Sequence, residues 1–338
     1  MIKRTSEAVV IHSPGKAALE KVEIPRLKPG EALIRVAHTA VCATDLEILD
    51  GTLGYYQNGM AEYPIVPGHE FSGRIAALGE NVNGLAEEDP VVVECLQSCG
   101  NCGECRAGNF LGCGERTELG VFRHDGAYAR YVVAPARFVH KLPQEMDLRR
   151  AALCEPLSVV LKAMRRLAPA LGAGAKRRCF VIGAGPLGHM FARTLLHFGH
   201  EVTAFDRNPK RLALFDGSGI LSSDTLADLS GFKVIIEVTG DGEVLNEALR
   251  LSPANASILL LGLPYGLRQF SFETVVAYDK TVIGSVSGTA EDFAEAIGLL
   301  PNLELDAYFR SPLRLGDFER AWEIARGGDV LKVVLDVE

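Results

Sequence analysis

One stretch limits this 338-residue chain more than any other. A continuous apolar run, Cys179 to Ile182, enters the turn Gly183-Ala184-Gly185-Pro186-Leu187-Gly188. The turn opens into PLGHMFARTLLHFGH, whose apolar spacing is helical. A strand apolar on both faces, a G-x-G-x-x-G turn and a helix form the first unit of a parallel sheet covered by helices on both sides. In such a unit Gly183 allows the tight turn, Gly185 lets backbone approach a pyrophosphate, and Gly188 lets helix and strand pack closely. Pro186 and Leu187 open the helix, whose free N–H groups and dipole favour phosphate. EVTAFD follows as a second strand and ends on Asp206, eighteen residues past Gly188, where an acidic residue can accept hydrogen bonds from an adenosine ribose. The pattern alone occurs in many loops, and the same Asp206 can serve as an ordinary helix cap; strand, turn, helix and acid in register point to a dinucleotide. Arg207 and Arg211, just beyond, can pair with a 2′-phosphate and so oppose Asp206.

The alternation continues through NPKRLALF as a helix, KVIIEVTG as a strand, an intervening helix, and the run Ala256–Leu263 as a strand. That run is the longest apolar one and falls far short of the roughly 20 residues a membrane span requires. Before the turn the style differs. EALIRVAHTAV, FSGRIAAL, PVVVEC and YARYVVA are short β-like runs bounded by Gly, Pro and Asn, and they predict a β-rich domain. Leu148–Arg166 has helical spacing and reads as a connector. Beyond Gly284 the alternation breaks, and the strand KVVLDV is expected to return to the first domain. The expected division is a β-rich domain of residues 1–156 completed by 287–338, and a Rossmann domain of residues 157–286.

Eight cysteines are present, and Cys99, Cys102, Cys105 and Cys113 crowd into one Gly-rich polar loop. Four thiolates at this spacing can surround a tetrahedral Zn²⁺ with no position left open, the arrangement of a structural site. The alternatives are a redox C-x-x-C or unliganded thiols. Cys95 reads as a packed strand thiol and Cys179 as core. The opening residues contain no apolar stretch followed by a small-residue cleavage site, so the expected compartment is the cytoplasm. A net charge of −8 gives no general attraction to nucleic acid or anionic lipid, and neither is expected as a partner.

Cys42 in VCATD, His69 in VPGHEFSG and Glu155 in CEPLSVVLKA are each ordinary alone, and spacing cannot join them. With the four-cysteine loop, DGAYARYVV, GAGPLG with Asp206, EVTG and LLGLP, they make nearly the whole chain resemble a zinc-containing medium-chain alcohol dehydrogenase. The resemblance implies a GroES-like catalytic domain beside the Rossmann domain and about two zinc ions per chain. Cys42, His69 and Glu155 would hold a catalytic zinc, and Glu70 would be an alternate ligand or a carboxylate behind the ligands. Cys154, beside Glu155, raises the question of which side chain points inward. Thr44 would carry the released proton, Glu47 stands where many relatives have a relay histidine, and Leu263 would offer backbone hydrogen bonds to the nicotinamide.

Glu155 is similar to the sorbitol and glucose branches, Glu47 to sugar-oxidising relatives such as the glucose branch, and the segments DGAYARY and EPLSVV to cyclitol dehydrogenases. The Arg-Tyr pair of the sorbitol branch is replaced by Ser287-Gly288, and the family's usual glycine after the zinc cysteine is Ala43. The implied function is NAD-linked oxidation of a secondary alcohol in a polyol, sugar or cyclitol by a homodimer or homotetramer. The alternatives are a dehydrogenase of simple alcohols, or of an amino alcohol such as threonine. The threonine branch favours Asp in place of Glu155. A nucleotide-binding scaffold without chemistry is the non-enzyme alternative.

Overall fold

The computed structural model describes residues 5–264, 269–270, 272–309 and 312–337. The run Arg178–Ile182 is the central strand of a six-stranded parallel sheet. The strand order is Leu221–Ser223, Glu201–Phe205, Arg178–Ile182, Val234–Glu237, Ser257–Leu260 and Thr281–Gly284. In chain order this is 3-2-1-4-5-6, the doubly wound arrangement that leaves a crevice where the order reverses, beyond the carboxyl end of the first strand. Phe180, Val181 and Ile182 are fully buried because helices lie against both faces of the sheet, and each such side chain contributes about 1.5–3 kcal/mol.

The glycine-rich turn lies at that crevice. A Cβ on Gly188 would stand 1.8 Å from the Gly183 carbonyl oxygen, so the helix can reach its packing distance only with glycine there. The helix Pro186–His197 follows, with Gly185 as its N-cap and no side-chain cap, which leaves its first N–H groups for a ligand. NPKRLALF, expected as one helix, is a single α-turn, Pro209–Leu212, followed by a 3₁₀ turn, Ala213–Phe215.

The second large sheet is built around Glu31–Ala40. Glu70–Leu78 lies antiparallel on one side of it; Tyr131–Pro135 pairs with its first half and Val334–Asp336 with its end on the other side. The C-terminal strand thus closes beside the segment that leads into Cys42, where Val41 N–H donates to the Val333 carbonyl at 2.9 Å. A short three-stranded sheet, Leu96–Gln97, Thr117–Leu119 and Arg123–His124, brackets the cysteine loop.

The connector is realised as Leu148–Ala151 and the long helix Cys154–Leu171. Its buried face joins one apolar cluster with the first Rossmann strand, with Phe293 and Ala296 of the helix Ala290–Leu299, and with Val92 and Leu142 of the β-rich half. Among the described residues no helix is long and apolar enough to cross a membrane.

The helix Pro186–His197 also buries His189, stacked on Phe215 at 4.6 Å and edge-on to Tyr308 at 5.4 Å. Burial and the Arg193 guanidinium push His189 down to about 3, against a smaller pull from the Leu214 carbonyl. The unfolded chain takes up this proton near pH 6.5 and the native state does not, so stability is full above that pH. It falls as pH drops from about 6.5 towards 3, by roughly 2 kcal/mol at about pH 5. His189→Phe is expected to remove this part of the acid sensitivity, read from urea midpoints at neutral and mildly acid pH. An unchanged acid sensitivity in the variant would exclude His189 as its source.

Candidate active site

Three backbone segments bring the ligand-type side chains together. Cys42 is the N-cap of the helix Ala43–Asp50. His69 and Glu70 enter the strand Glu70–Leu78, whose first residue pairs with Ala40. Glu155 lies on the first turn of the connector helix, buried beneath both. Gly68 sets the direction of His69: its φ is +97°, and a Cβ there would stand 2.4 Å from the Tyr128 ring.

The ligand atoms of Cys42, His69 and Glu70 all lie within 4.8 Å of one another, and Glu155 stands close enough to His69 and Glu70 for each to shift its ionisation. Cys154 is not part of the group; it is fully buried in the apolar cluster, and burial pushes its thiol up to about 12.

Asp45 organises this group from behind. Fully buried, it accepts hydrogen bonds from Cys42 N–H at 2.9 Å, Gly68 N–H at 3.2 Å and the Tyr128 hydroxyl at 3.3 Å, and it stands 3.6 Å from His69 Nδ1. One carboxylate therefore ties the two ligand-bearing loops together and places a negative charge beside the imidazole. Tyr128 in turn accepts from Trp322 Nε1 at 3.4 Å. Lys332, on the segment before the C-terminal strand, reaches Glu70 at 2.7 Å and 2.6 Å to its two oxygens. Sequence reasoning quoted VCATD without assigning Asp45 a role, and it missed Lys332, Tyr128 and Trp322. An acidic residue three positions after Cys42 was the available signal for the first; nothing local marks the others.

The electrostatics describe a site short of positive charge. Burial raises Asp45, with Glu70 adding to the shift against His69. Burial also pushes Glu155 up to about 7, with Glu70 and Asp45 adding to it against His69 and Lys332. Burial opposes a charged His69, yet Cys42, Asp45 and Glu155 together raise it well above its ordinary value. His69 Nδ1 is buried without a hydrogen-bond partner, and Glu70 Oε2 has only the Lys332 ammonium, 2.6 Å away. A soft thiolate, an imidazole and carboxylates around a place that lacks cationic charge form a donor set suited to zinc.

Cys99, Cys102, Cys105 and Cys113 form a second group whose sulfurs lie within 4.8 Å of one another. Cys99 N–H donates to Cys113 Sγ, and Cys105 N–H to Cys102 Sγ, each at 3.4 Å. These four thiols fit one closed tetrahedral metal. Cys95 is separate and buried, but it lies in the bend between the strands Pro90–Val93 and Leu96–Gln97 rather than in a strand as expected; its Sγ donates to the Leu119 carbonyl at 3.7 Å.

Thr44 and Glu47 lie on the helix that starts at Cys42, three residues apart on one face and both half-buried. Asp206 stands at the lip of the glycine-rich turn: its Oδ2 accepts from Ala184 N–H at 2.8 Å and its Oδ1 from Asn208 N–H at 2.7 Å. Arg211 Nη1 is 3.6 Å from Asp206, and Arg207 Nη1 is 3.4 Å from Asp241. Leu263 is exposed, with its backbone against Gly240 in the turn after the fourth strand. Buried Tyr308 connects the nucleotide turn electrostatically to the ligand group. Its hydroxyl donates to the Pro186 carbonyl at 2.5 Å, and it lies near enough to Glu70 for that charge, added to burial, to hold the phenol well above its ordinary range.

With that geometry in view, two family models match the chain: an alcohol dehydrogenase GroES-like domain over residues 28–144 and a zinc-binding dehydrogenase over residues 186–302. The chain is 29% identical to a sorbitol dehydrogenase of Halalkalibacterium halodurans, with 96% of each chain covered. It is 31% identical to an alcohol dehydrogenase of Rhizobium meliloti, covering 90% of this chain and 91% of that one. The crystal structure of galactitol-1-phosphate dehydrogenase from Escherichia coli superposes with a TM-score of 0.86 at 28% identity, over 98% of this chain and all of the other.

Proposed function

This chain belongs to the zinc-binding alcohol dehydrogenase family, and from that premise we propose that it transfers hydride between a secondary alcohol of a polyol, sugar or cyclitol and NAD. The observation that carries the reading is the group of Cys42, His69 and Glu70, whose ligand atoms lie within 4.8 Å of one another, with the buried Glu155 carboxylate near enough to His69 and Glu70 to be shifted by their charges. Cys42, His69 and Glu155 would hold the catalytic zinc, and the four-cysteine loop a structural one. When bound, zinc acts as a Lewis acid on the alcohol oxygen and makes its proton easier to lose near neutral pH.

The chain's own residues do the rest. Asp45 holds both ligand loops through their backbone N–H groups and keeps a negative charge beside the His69 ring, so the donors are brought together before any metal binds. Thr44, on the helix that begins at Cys42, takes the alcohol proton through its hydroxyl, and Glu47 one turn on is the next acceptor towards water. The turn from Gly183 to Gly188 and Asp206 hold the dinucleotide, and the backbone at Leu263 receives the nicotinamide carboxamide. We place the enzyme in the cytoplasm as a homodimer or homotetramer.

Polar side chains beside the ligand group support a hydroxyl-rich substrate. Glu118 accepts from the Tyr55 hydroxyl at 3.0 Å, Arg116 donates to that hydroxyl at 3.1 Å, and the charge of Glu118 interacts with that of His69. These part-buried polar groups offer a hydroxyl-bearing substrate further hydrogen-bond partners near the ligand group. A panel of polyols, sugars, cyclitols and simple alcohols, followed by NADH absorbance, tests the reading. Expected is a kcat/KM at least about tenfold higher for a vicinal diol, cyclitol or aldose than for ethanol. A preference for aliphatic mono-alcohols would overturn the substrate class.

A further inference from the structure

We propose that Lys332 is a positioning residue that holds the Glu70 carboxylate beside the metal ligands and so keeps one coordination position open for substrate. The proposal rests on the reading that Cys42, His69 and Glu155 hold a catalytic zinc.

The pair is buried and doubly engaged. Lys332 Nζ lies 2.7 Å from Glu70 Oε1 and 2.6 Å from Oε2, with the two side chains 4% and 2% exposed. Burying two ions costs about as much as their attraction returns, so such a pair is weakly accounted for by stability. Its location is more telling. Val333, next to Lys332, is hydrogen-bonded through its carbonyl to Val41, next to Cys42, and Glu70 follows His69 directly. The backbone that carries the ammonium is therefore stitched to the backbone that carries two of the metal donors.

Glu70 also has ligand reach: a carboxylate oxygen lies within 4.8 Å of the Cys42 and His69 donor atoms. If Glu70 joined Cys42, His69 and Glu155, all four tetrahedral positions would be protein atoms, and the site would take the closed form of a structural metal. Charge leads to the same conclusion. Lys332 Nζ is the cation in contact with Glu70, and Asp45 adds a further buried carboxylate to those of Glu70 and Glu155. Without the ammonium, the unpaired buried Glu70 has one available cation, the metal.

The test uses enzyme with zinc in the four-cysteine loop and cobalt(II) at the Cys42 site, with imidazole as the probe of the open position and the visible spectrum as the readout. The unmodified enzyme and Lys332→Arg are expected to bind imidazole with the same spectral change. Lys332→Met is expected to bind it at least about tenfold more weakly, with an altered cobalt spectrum before any addition. Removing the competing carboxylate as well, in E70Q/K332M, is expected to restore imidazole binding to the level of the unmodified enzyme.

Lys332→Gln, which keeps a hydrogen-bond donor without the charge, carries the same expectation as Lys332→Met should the latter not fold. Imidazole binding unchanged in Lys332→Met or Lys332→Gln, or not restored in the double variant, would overturn the role of Lys332. A cobalt spectrum unchanged in Cys42→Ser would instead overturn the metal assignment beneath it.

Discussion

Cys42→Ala is expected to lower kcat/KM by at least about 10³-fold, which is ~4 kcal/mol at 1.36 kcal/mol for each factor of ten. NADH binding and the fold should persist. The backbone of residue 42 is held independently of its side chain: its N–H donates to Asp45 at 2.9 Å, and the helix Ala43–Asp50 begins there with either residue. Sγ is half-buried at the rim of the ligand group, so its loss opens no cavity in the apolar core. What goes is one of the donors within 4.8 Å of one another, and with it the charge that makes the site attractive to a divalent ion. The nucleotide turn is built on a different sheet and does not depend on it. Tm, NADH fluorescence and bound metal measured beside turnover separate these effects. Near-normal activity in a variant that has lost its metal would remove zinc from the reaction.

The Rossmann half was the most legible part of the chain because its signals are local. An apolar run, three glycines and an acid within about thirty residues state both the strand-turn-helix unit and its ligand. The cysteine loop was legible for the same reason: all four donors fall between Cys99 and Cys113. The ligand group was not legible from spacing, since Cys42, His69 and Glu155 are joined only by the folding of two sheets around the connector helix, and a resemblance supplied them. What no local pattern could reveal is the support behind them. Lys332 meets Glu70 across 262 residues, Trp322 meets Tyr128 across 194, and Tyr128 meets Asp45 across 83. Each is an ordinary residue in its own segment. The roles of Lys332 and Trp322 come from the C-terminal return of the chain onto the sheet built around Glu31–Ala40, a tertiary event with no period in the sequence. The short turn at Pro209–Leu212 shows the opposite error, where a polar-apolar run long enough for a helix gives way to the 3₁₀ turn Ala213–Phe215, packed beside the nucleotide helix.

Cofactor choice depends on a balance of charges around Asp206. Its two oxygens already accept backbone N–H groups, at 2.8 Å from Ala184 and 2.7 Å from Asn208, so the carboxylate is fixed at the lip of the glycine-rich turn. Each oxygen retains a lone pair for the ribose 2′- and 3′-hydroxyls of NAD. In NADP the 2′-phosphate would meet the same carboxylate, and like charges repel in a partly desolvated cleft. Arginines nearby could reverse this if they were free to turn to a phosphate. Arg207 leans towards Asp241 at 3.4 Å, and Arg211 donates through Nε to the Gly328 carbonyl at 2.9 Å while standing 3.6 Å from Asp206 itself. A 2′-phosphate gains either guanidinium only by breaking these contacts, whereas a hydroxyl gains Asp206 without disturbing them. A charged hydrogen bond of this kind is worth roughly 1.5–3 kcal/mol, about ten- to a hundredfold in affinity. The enzyme is therefore expected to prefer NAD over NADP by at least about tenfold in kcat/KM, and Asp206→Ser to erode that preference, since it removes the ribose acceptor and releases Arg211 from its acidic neighbour. Steady-state kinetics with both cofactors on the two proteins decide the matter: equal use of NAD and NADP by the unmodified enzyme would mean that the arginines, not Asp206, set the choice.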